Sequence, residues 1–278
     1  METSALKAVW ETELQILDLI DDICRKNNLK YSLAYGTLIG AIRHHGFIPW
    51  DDDIDICMPR EDYNRFIECW NQSHIDGYKL ENKDFVFDFT QSFTKIIKDH
   101  TTFLQANEDR TKSFHKGIFV DIFPGDRVPN GRIAKSFQYM WFAVALLFSR
   151  NHPSGSSGLI GLIERVLLCL PEKYHPRIRK FAEKQSQKWN ADTSLPIVFA
   201  NTIQAARIIY KADLFDHLMT AEFEKGRYAV FAEYDSFLRI CYGDYMQLPP
   251  PEERTWKHHP LLIDFERNYE EIPVEEQI

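Results

Sequence analysis

YGTLIGAIRHHGFIPWDDDIDICMP, Tyr35 to Pro59, holds the pattern that decides the fold. Four aspartates, Asp51, Asp52, Asp53 and Asp55, fall within five positions, and the chain then turns apolar. Like charges packed this closely repel, and Asp is disfavoured in strands. On a strand, side chains two apart face the same side. Asp53 and Asp55 are therefore expected to point together, with Cα atoms about 6.5–7 Å apart at about 3.3 Å per residue, while Ile54 and Ile56 face the core. Two carboxylates on one rigid face suit a hard divalent cation with oxygen ligands, Mg²⁺ or Mn²⁺. Without a cation, one carboxylate should keep its proton. The plainer alternative is a solvated acidic turn before a strand. For Asp51 and Asp52, a turn or capping role stands beside a chemical one.

Upstream, LKYSLAY (29–35) has the length and alternation of a strand, and TLIGAIRHH fits a short helix. Gly36 and Thr37 sit between them, where bare helix amides attract phosphate and glycine lets a ligand approach. Downstream, REDYNRFIECW (60–70) reads as a helix with Tyr63, Phe66, Ile67 and Trp70 inward. Short strands are expected over 78–80, 85–89 and 93–97, then a strongly apolar one in GIFVDIFPGD (117–126). Asp121 interrupts that last strand, at a cost of several kcal/mol if buried and unpaired. It is expected to join Asp53 and Asp55 as a third carboxylate; pairing with a lysine such as Lys116 is the alternative. Strand, Gly-Thr, helix, Asp-x-Asp on the next strand and a third Asp is an order that resembles the nucleotidyltransferase (polymerase-β-like) fold.

An amphipathic helix is predicted over residues 5–27, with Leu6, Trp10, Leu14, Leu17, Ile20 and Cys24 at steps of three or four. Beyond residue 130 the pattern turns helical, over 133–148, 159–170 and about 176–190, with a Ser/Gly/Pro-rich loop at 151–158. A hairpin about Lys225-Gly226 and a helix ending at Gly243 follow. The expected class is α/β (α+β). Residues 1–130 would form a mixed-sheet catalytic core, 131–212 a mainly helical part, and 213–278 a hairpin, helix and loop folding back on the core.

The chain has 278 residues, 44% of them hydrophobic and 14% aromatic, ample for a packed core. A net charge of −8 argues against a general nucleic-acid binder, which must neutralise phosphates over a broad surface. An acidic protein can still hold a phosphorylated small molecule through a bound metal. The five cysteines are scattered without a CxxC pair and read as reduced core residues of a cytoplasmic protein. The N-terminal stretch carries acids throughout, unlike a signal peptide. No apolar run approaches the ~18 residues of a membrane span. FQYMWFAVALLF (137–148) is the nearest and reads as a buried or membrane-resting helix.

Tyr35 to Phe66 is also similar to the hallmark of the LicD/fukutin-like family, and FTKIIKDHTT (93–102), GIFVDIFP (117–124) and YGDYMQLPPPEERTWKHH (242–259) extend the resemblance. It implies Mg²⁺-dependent transfer of a phosphorylated small alcohol, phosphocholine or a polyol phosphate, from a CDP-linked donor. The acceptor would be a surface glycan or its lipid-linked precursor. Apart from the resemblance, the apolar stretches 137–148 and 159–170 suit either peripheral membrane contact that docks such an acceptor or an ordinary helical core. The family's metal-binding acids map onto Asp53 and Asp55, and Asp121 takes the matching third position; as a strand-held carboxylate near the metal, Asp121 is also the candidate general base. Gly36 and Thr37 would seat donor phosphate. Lys95 is the first choice to complete a cationic clamp, followed by Arg43, Arg254 and His258. A metal-dependent glycosyltransferase using a nucleotide sugar is the main alternative, and a non-catalytic phosphate- or metal-binding protein the other.

Overall fold

Apolar residues at helical spacing wind Glu2–Asn27 into α1, burying Val9, Ile16, Leu17, Ile20 and Cys24. The computed structural model describes residues 2–86, 89–106, 110 and 114–276. After α1 come β1 (Ser32–Leu33), α2 (Tyr35–Arg43), β2 (Ile54–Pro59) and α3 (Arg60–Ser73). Next are β3 (Tyr78–Glu81), β4 (Thr94–Lys98), β5 (Thr102–Gln105) and the long β6 (Phe119–Arg127). The helical stretch comprises α4 (Arg132–Arg150), α5 (Gly158–Leu168) and α6 (His175–Ser186). The chain then runs through β7 (Ile197–Val198), β8 (Leu218–Phe223), β9 (Gly226–Phe231), α7 (Tyr234–Tyr242) and β10 (Pro260–Asp264).

The main sheet is mixed, in the order β1-β2-β6-β4-β3, with β7 also paired to β6. β2 and β6 run parallel, while β4 and β7 are antiparallel to β6. Ile54, Ile56, Ile96, Val120 and Ile122 are fully buried on these strands, as their β-branched runs predict. α1 packs on β4, β6 and α3, and α3 on β2 and β6 through Tyr63, Phe66 and Trp70. α4 and α6 pack on each other. The β8–β9 hairpin abuts β1, where Phe231 N–H donates to Ser32 Oγ at 3.0 Å.

Three local expectations change. The strand over 29–35 shrinks to Ser32–Leu33, because the chain turns into α2 at Tyr35, a bulky residue held at φ +46°. Of the strand over 85–89, Phe87 and Asp88 lie outside the described residues; Phe85 and Val86 instead turn back to donate to the Asn82 carbonyl. The sequence reading also missed β5 and β10, which pair antiparallel with Asp264 opposite Thr102 and draw the C-terminal segment across the core.

Candidate active site

Strand register builds one line of charge. Asp55 on β2 pairs with Asp121 on β6, Asp121 with Lys95 on β4, and Lys95 with Glu81 on β3. Directly opposed residues share a face, so the third carboxylate does stand beside Asp55, as expected. Its lysine partner is Lys95 and not Lys116. Lys95 Nζ lies 2.8 Å from Asp121 Oδ1, an ion pair that falls short of an aligned hydrogen bond, and 3.1 Å from the Phe119 ring centroid. Glu81 ends the line and accepts the His115 N–H.

Asp51, Asp52 and Asp53 form the loop leading into β2. The Trp10 indole of α1 donates to the Asp51 carbonyl at 2.8 Å and pins this loop. Asp51 Oδ2 would lie 2.5 Å from a Cβ on Gly36, so only glycine lets that carboxylate reach the first turn of α2. Asp52, fully buried, accepts N–H bonds from Lys257 at 3.1 Å and His258 at 3.2 Å, and a third from His258 Nδ1 at 3.1 Å. The other imidazole nitrogen, Nε2, lies 3.8 Å from Asp53 Oδ2.

Asp52, Asp53 and His258 bring ligand atoms within 4.8 Å of one another and form the compact three-residue group among the described residues. It shares Asp53 with the expected trio of Asp53, Asp55 and Asp121. Asp53 lies one residue ahead of β2, outside the pleat that aligns Asp55 with Asp121. The three still belong to one electrostatic cluster, because Asp53 and Asp121 both disfavour charge on Asp55.

One acid of this cluster went unnoticed in the sequence. Glu13 of α1 is 1% exposed, and its Oε2 has no hydrogen-bond partner among the described residues. Burial, then the charges of Asp53, Asp52, Asp51 and Asp121, hold its carboxyl well above the usual range. Burial likewise raises Asp51 to about 8 and Asp53 to about 6; neighbouring aspartates add to both shifts, and His258 opposes them. Asp55 and Asp121 are also raised, chiefly by burial, with Lys95 opposing. Burial alone would lower His258, yet its bond to Asp52 and the charge of Asp53 leave it raised.

A cluster rich in carboxylates, a buried carboxylate oxygen without a donor among the described residues, and several acids displaced toward protonation together fit a hard divalent cation. Asp52, Asp53, Asp55, Asp121 and Glu13 are the residues that could hold Mg²⁺ or Mn²⁺. A cleft of about 950 Å³ opens on Lys95, Asp121 and His258. It extends to Phe148–His152 at the end of α4 and to Glu172, His175 and Arg179 beside α6.

Of the other expected site residues, Thr37 lies inside the first turn of α2, and its Oγ1 accepts the Asp55 N–H at 2.8 Å. That bond fixes the start of β2. Gly36 faces the Asp51 carboxylate, which fills the side where phosphate was expected to approach. Arg43 donates to the Tyr245 carbonyl at 2.5 Å, and Arg254 to the Pro249 carbonyl at 2.9 Å while lying over the Trp50 ring. Neither arginine bonds to an aspartate among the described residues. Both shape the 245–254 turn; beyond it, Lys257 reaches Asp52 through its backbone N–H, and His258 reaches Asp52 and Asp53 through its imidazole. Polarity suggested a clamp, but the orphan carbonyls of a tight turn claim these guanidiniums first.

Residues 28–149 match the family model described as LicD/FKTN/FKRP, nucleotidyltransferase domain. The chain is 32% identical over 253 residues to the lipopolysaccharide cholinephosphotransferase LicD of Haemophilus influenzae, covering 88% of this chain and 92% of that protein. An uncharacterized protein of Rickettsia typhi is 41% identical over 73 residues, 26% of this chain and 24% of its own length. Another, from Rickettsia prowazekii, is 48% identical over 66 residues, 24% of this chain and 25% of its own. With its acids spread across β2, β6 and the loop before β2, and a relative matched along most of its length, this chain belongs to the LicD/fukutin-like family.

Proposed function

We propose that this chain is a LicD-type phosphotransferase with a nucleotidyltransferase-like core. It moves a phosphocholine-like group from a CDP-linked donor to a hydroxyl of a cell-surface glycan or its lipid-linked precursor. The observation that carries this reading is Lys95, Asp121 and His258 lining one end of a long cleft, with Asp55 paired to Asp121 and Asp53 beside His258. Family membership and the similarity to a lipopolysaccharide cholinephosphotransferase support it.

In the proposed reaction the acceptor oxygen attacks the donor phosphorus that carries the alcohol. The bond from that phosphorus to the bridging oxygen breaks, and CMP leaves with the electron pair. Such transfer depends on positioning and charge neutralisation. Mg²⁺, which Asp53, Asp55 and Asp121 would hold, would supply part of the charge neutralisation. The chain's own groups do the rest: Lys95, fixed between Asp121 and the Phe119 ring, adds positive charge, and His258 is held by Asp52 with Nε2 3.8 Å from Asp53. Asp121, the strand-held carboxylate at the cleft, takes the proton of the attacking hydroxyl. Thr37, bonded to the Asp55 N–H, keeps that carboxylate in line with Asp121.

A donor panel tests the reading. CDP-choline, CDP-ethanolamine, CDP-ribitol and CDP-glycerol are offered with Mg²⁺ and an acceptor glycan preparation, and CMP is quantified. CMP release with at least one CDP-alcohol is expected. Turnover only with UDP- or GDP-sugars would replace the reading with a glycosyltransferase.

A further inference from the structure

α5 stands out because it is apolar nearly all round yet unburied. Leu159, Ile160, Leu162, Ile163 and Val166 are 49–72% exposed, and Gly161 is its one buried residue. The linker accounts for that glycine: the Ser156 carbonyl lies where a Cβ would stand. Five adjacent large aliphatic side chains in water form the kind of patch that monomeric soluble proteins rarely leave uncovered.

Charge separates this region from the rest of the molecule. Residues 131–190 carry ten lysines and arginines against three acids, in a chain of net charge −8. Arg165 on α5, and Lys173 and Arg177 just after it, are exposed and make no ion pair with an acid among the described residues. Glu164, the one acid on α5, is taken inward: Arg150 donates to it at 2.9 Å, and the Ser154 N–H and hydroxyl at 2.8 Å each. Exposed Phe137 on α4 and Phe181 on α6 add aromatic surface nearby in sequence.

We infer that α5 and the basic residues around it dock this protein onto an anionic phospholipid bilayer. At 11 residues, α5 is about 16 Å long by its rise per residue, roughly half a hydrocarbon core. No described helix is long and apolar enough to cross a membrane. α5 therefore lies in the interface with its aliphatic side chains among the acyl chains, while the flanking Lys and Arg meet lipid phosphates. The segments on either side of it, Phe148–His152 and Glu172–Lys180, line the far end of the cleft that opens on Asp121. Docking thus sets the cleft mouth at the surface where a lipid-linked acceptor resides; only this consequence rests on the proposed reaction.

Vesicle flotation tests docking without substrate or turnover. Wild-type protein should float with phosphatidylglycerol-containing vesicles and stay below with pure phosphatidylcholine, and high salt should release it. The Leu159→Ser/Ile163→Ser/Val166→Ser variant should lose at least about tenfold in vesicle affinity. Arg165→Ser and Lys173→Ser should each lose about fivefold. All these positions are exposed, so the fold should persist, as circular dichroism would verify. Cys169, at the end of α5, is exposed, whereas Cys24 and Cys57 are buried and Cys69 and Cys241 half-buried. An environment-sensitive dye there should shift to the blue with anionic vesicles only. Absence of binding by wild type, or full binding by the triple variant, overturns the inference. So does a concentration-dependent dimer without vesicle binding that the triple variant dissolves, since a second copy would then be the occupant.

Discussion

Replacing Asp53 by Asn should stabilise the protein when no divalent cation is present, by an amount that follows from the site. Burial and neighbouring acids raise Asp53 from 3.8 to about 6. A carboxyl with its folded pKa above the unfolded value binds more protons in the folded state between the two. Stability is therefore lost as pH rises through that window and stays low above it. Roughly two pH units at about 1.4 kcal/mol each give a penalty of ~3 kcal/mol at neutral pH. Asp51, raised to about 8, shares the same repulsion, so its penalty does not simply add. In EDTA near neutral pH, Asp53→Asn should melt about 6–12 °C above wild type, taking about 2–4 °C per kcal/mol. The gap should close as pH falls to about 4, where wild-type Asp53 is protonated. Millimolar Mg²⁺ should raise the wild-type melting temperature more than the variant's, because a ligand of the folded state stabilises by mass action. Scanning calorimetry across pH, with and without Mg²⁺, reads all three effects. A variant no more stable than wild type in EDTA, or a gap independent of pH, would refute the repulsion argument.

Three further substitutions probe other parts of the site. Lys95→Met leaves buried Asp121 unpaired, so it should cost about 3–5 kcal/mol of stability in chelator and lower turnover about a hundredfold or more, read by denaturant melts and CMP release. Thr37→Val removes the acceptor of the Asp55 N–H at nearly constant volume and should cost about 1–3 kcal/mol; urea unfolding that shows no loss would remove its positioning role. Asp52→Asn takes the charged acceptor away from Lys257 and His258, so hydrogen exchange at both amides should rise while that of β6 stays unchanged.

Much of this site was legible locally. Ile54, Ile56, Val120 and Ile122 mark their strands by alternating with acids, and an aspartate inside GIFVDIFP had to find company; Asp55 and Lys95 provide it. The glycine between strand and helix was equally visible, though it makes room for Asp51. Glu13 was missed because the stripe on α1 was drawn through Trp10 and Leu14. The buried face runs through Val9, Ile16, Leu17 and Ile20, and an acid at position 13 on that face was the available signal. Arg43 and Arg254 look like phosphate ligands in sequence, but only the path of the 245–254 turn reveals the carbonyls they serve. The β5–β10 pairing joins segments some 160 positions apart and has no local signature. α5 misleads in the opposite sense: an all-round apolar helix reads as core, and sequence alone does not say that nothing among the described residues covers it.

The most direct test of the central claim is Mn²⁺ binding followed by electron paramagnetic resonance, with CDP-choline present and absent. Wild-type protein should bind Mn²⁺ at the acid cluster, more tightly with CDP-choline, and Asp55→Asn should lose at least about tenfold in affinity while remaining folded. Equal binding by wild type and variant, or indifference to CDP-choline, would contradict a metal-assisted donor site built on Asp53, Asp55 and Asp121.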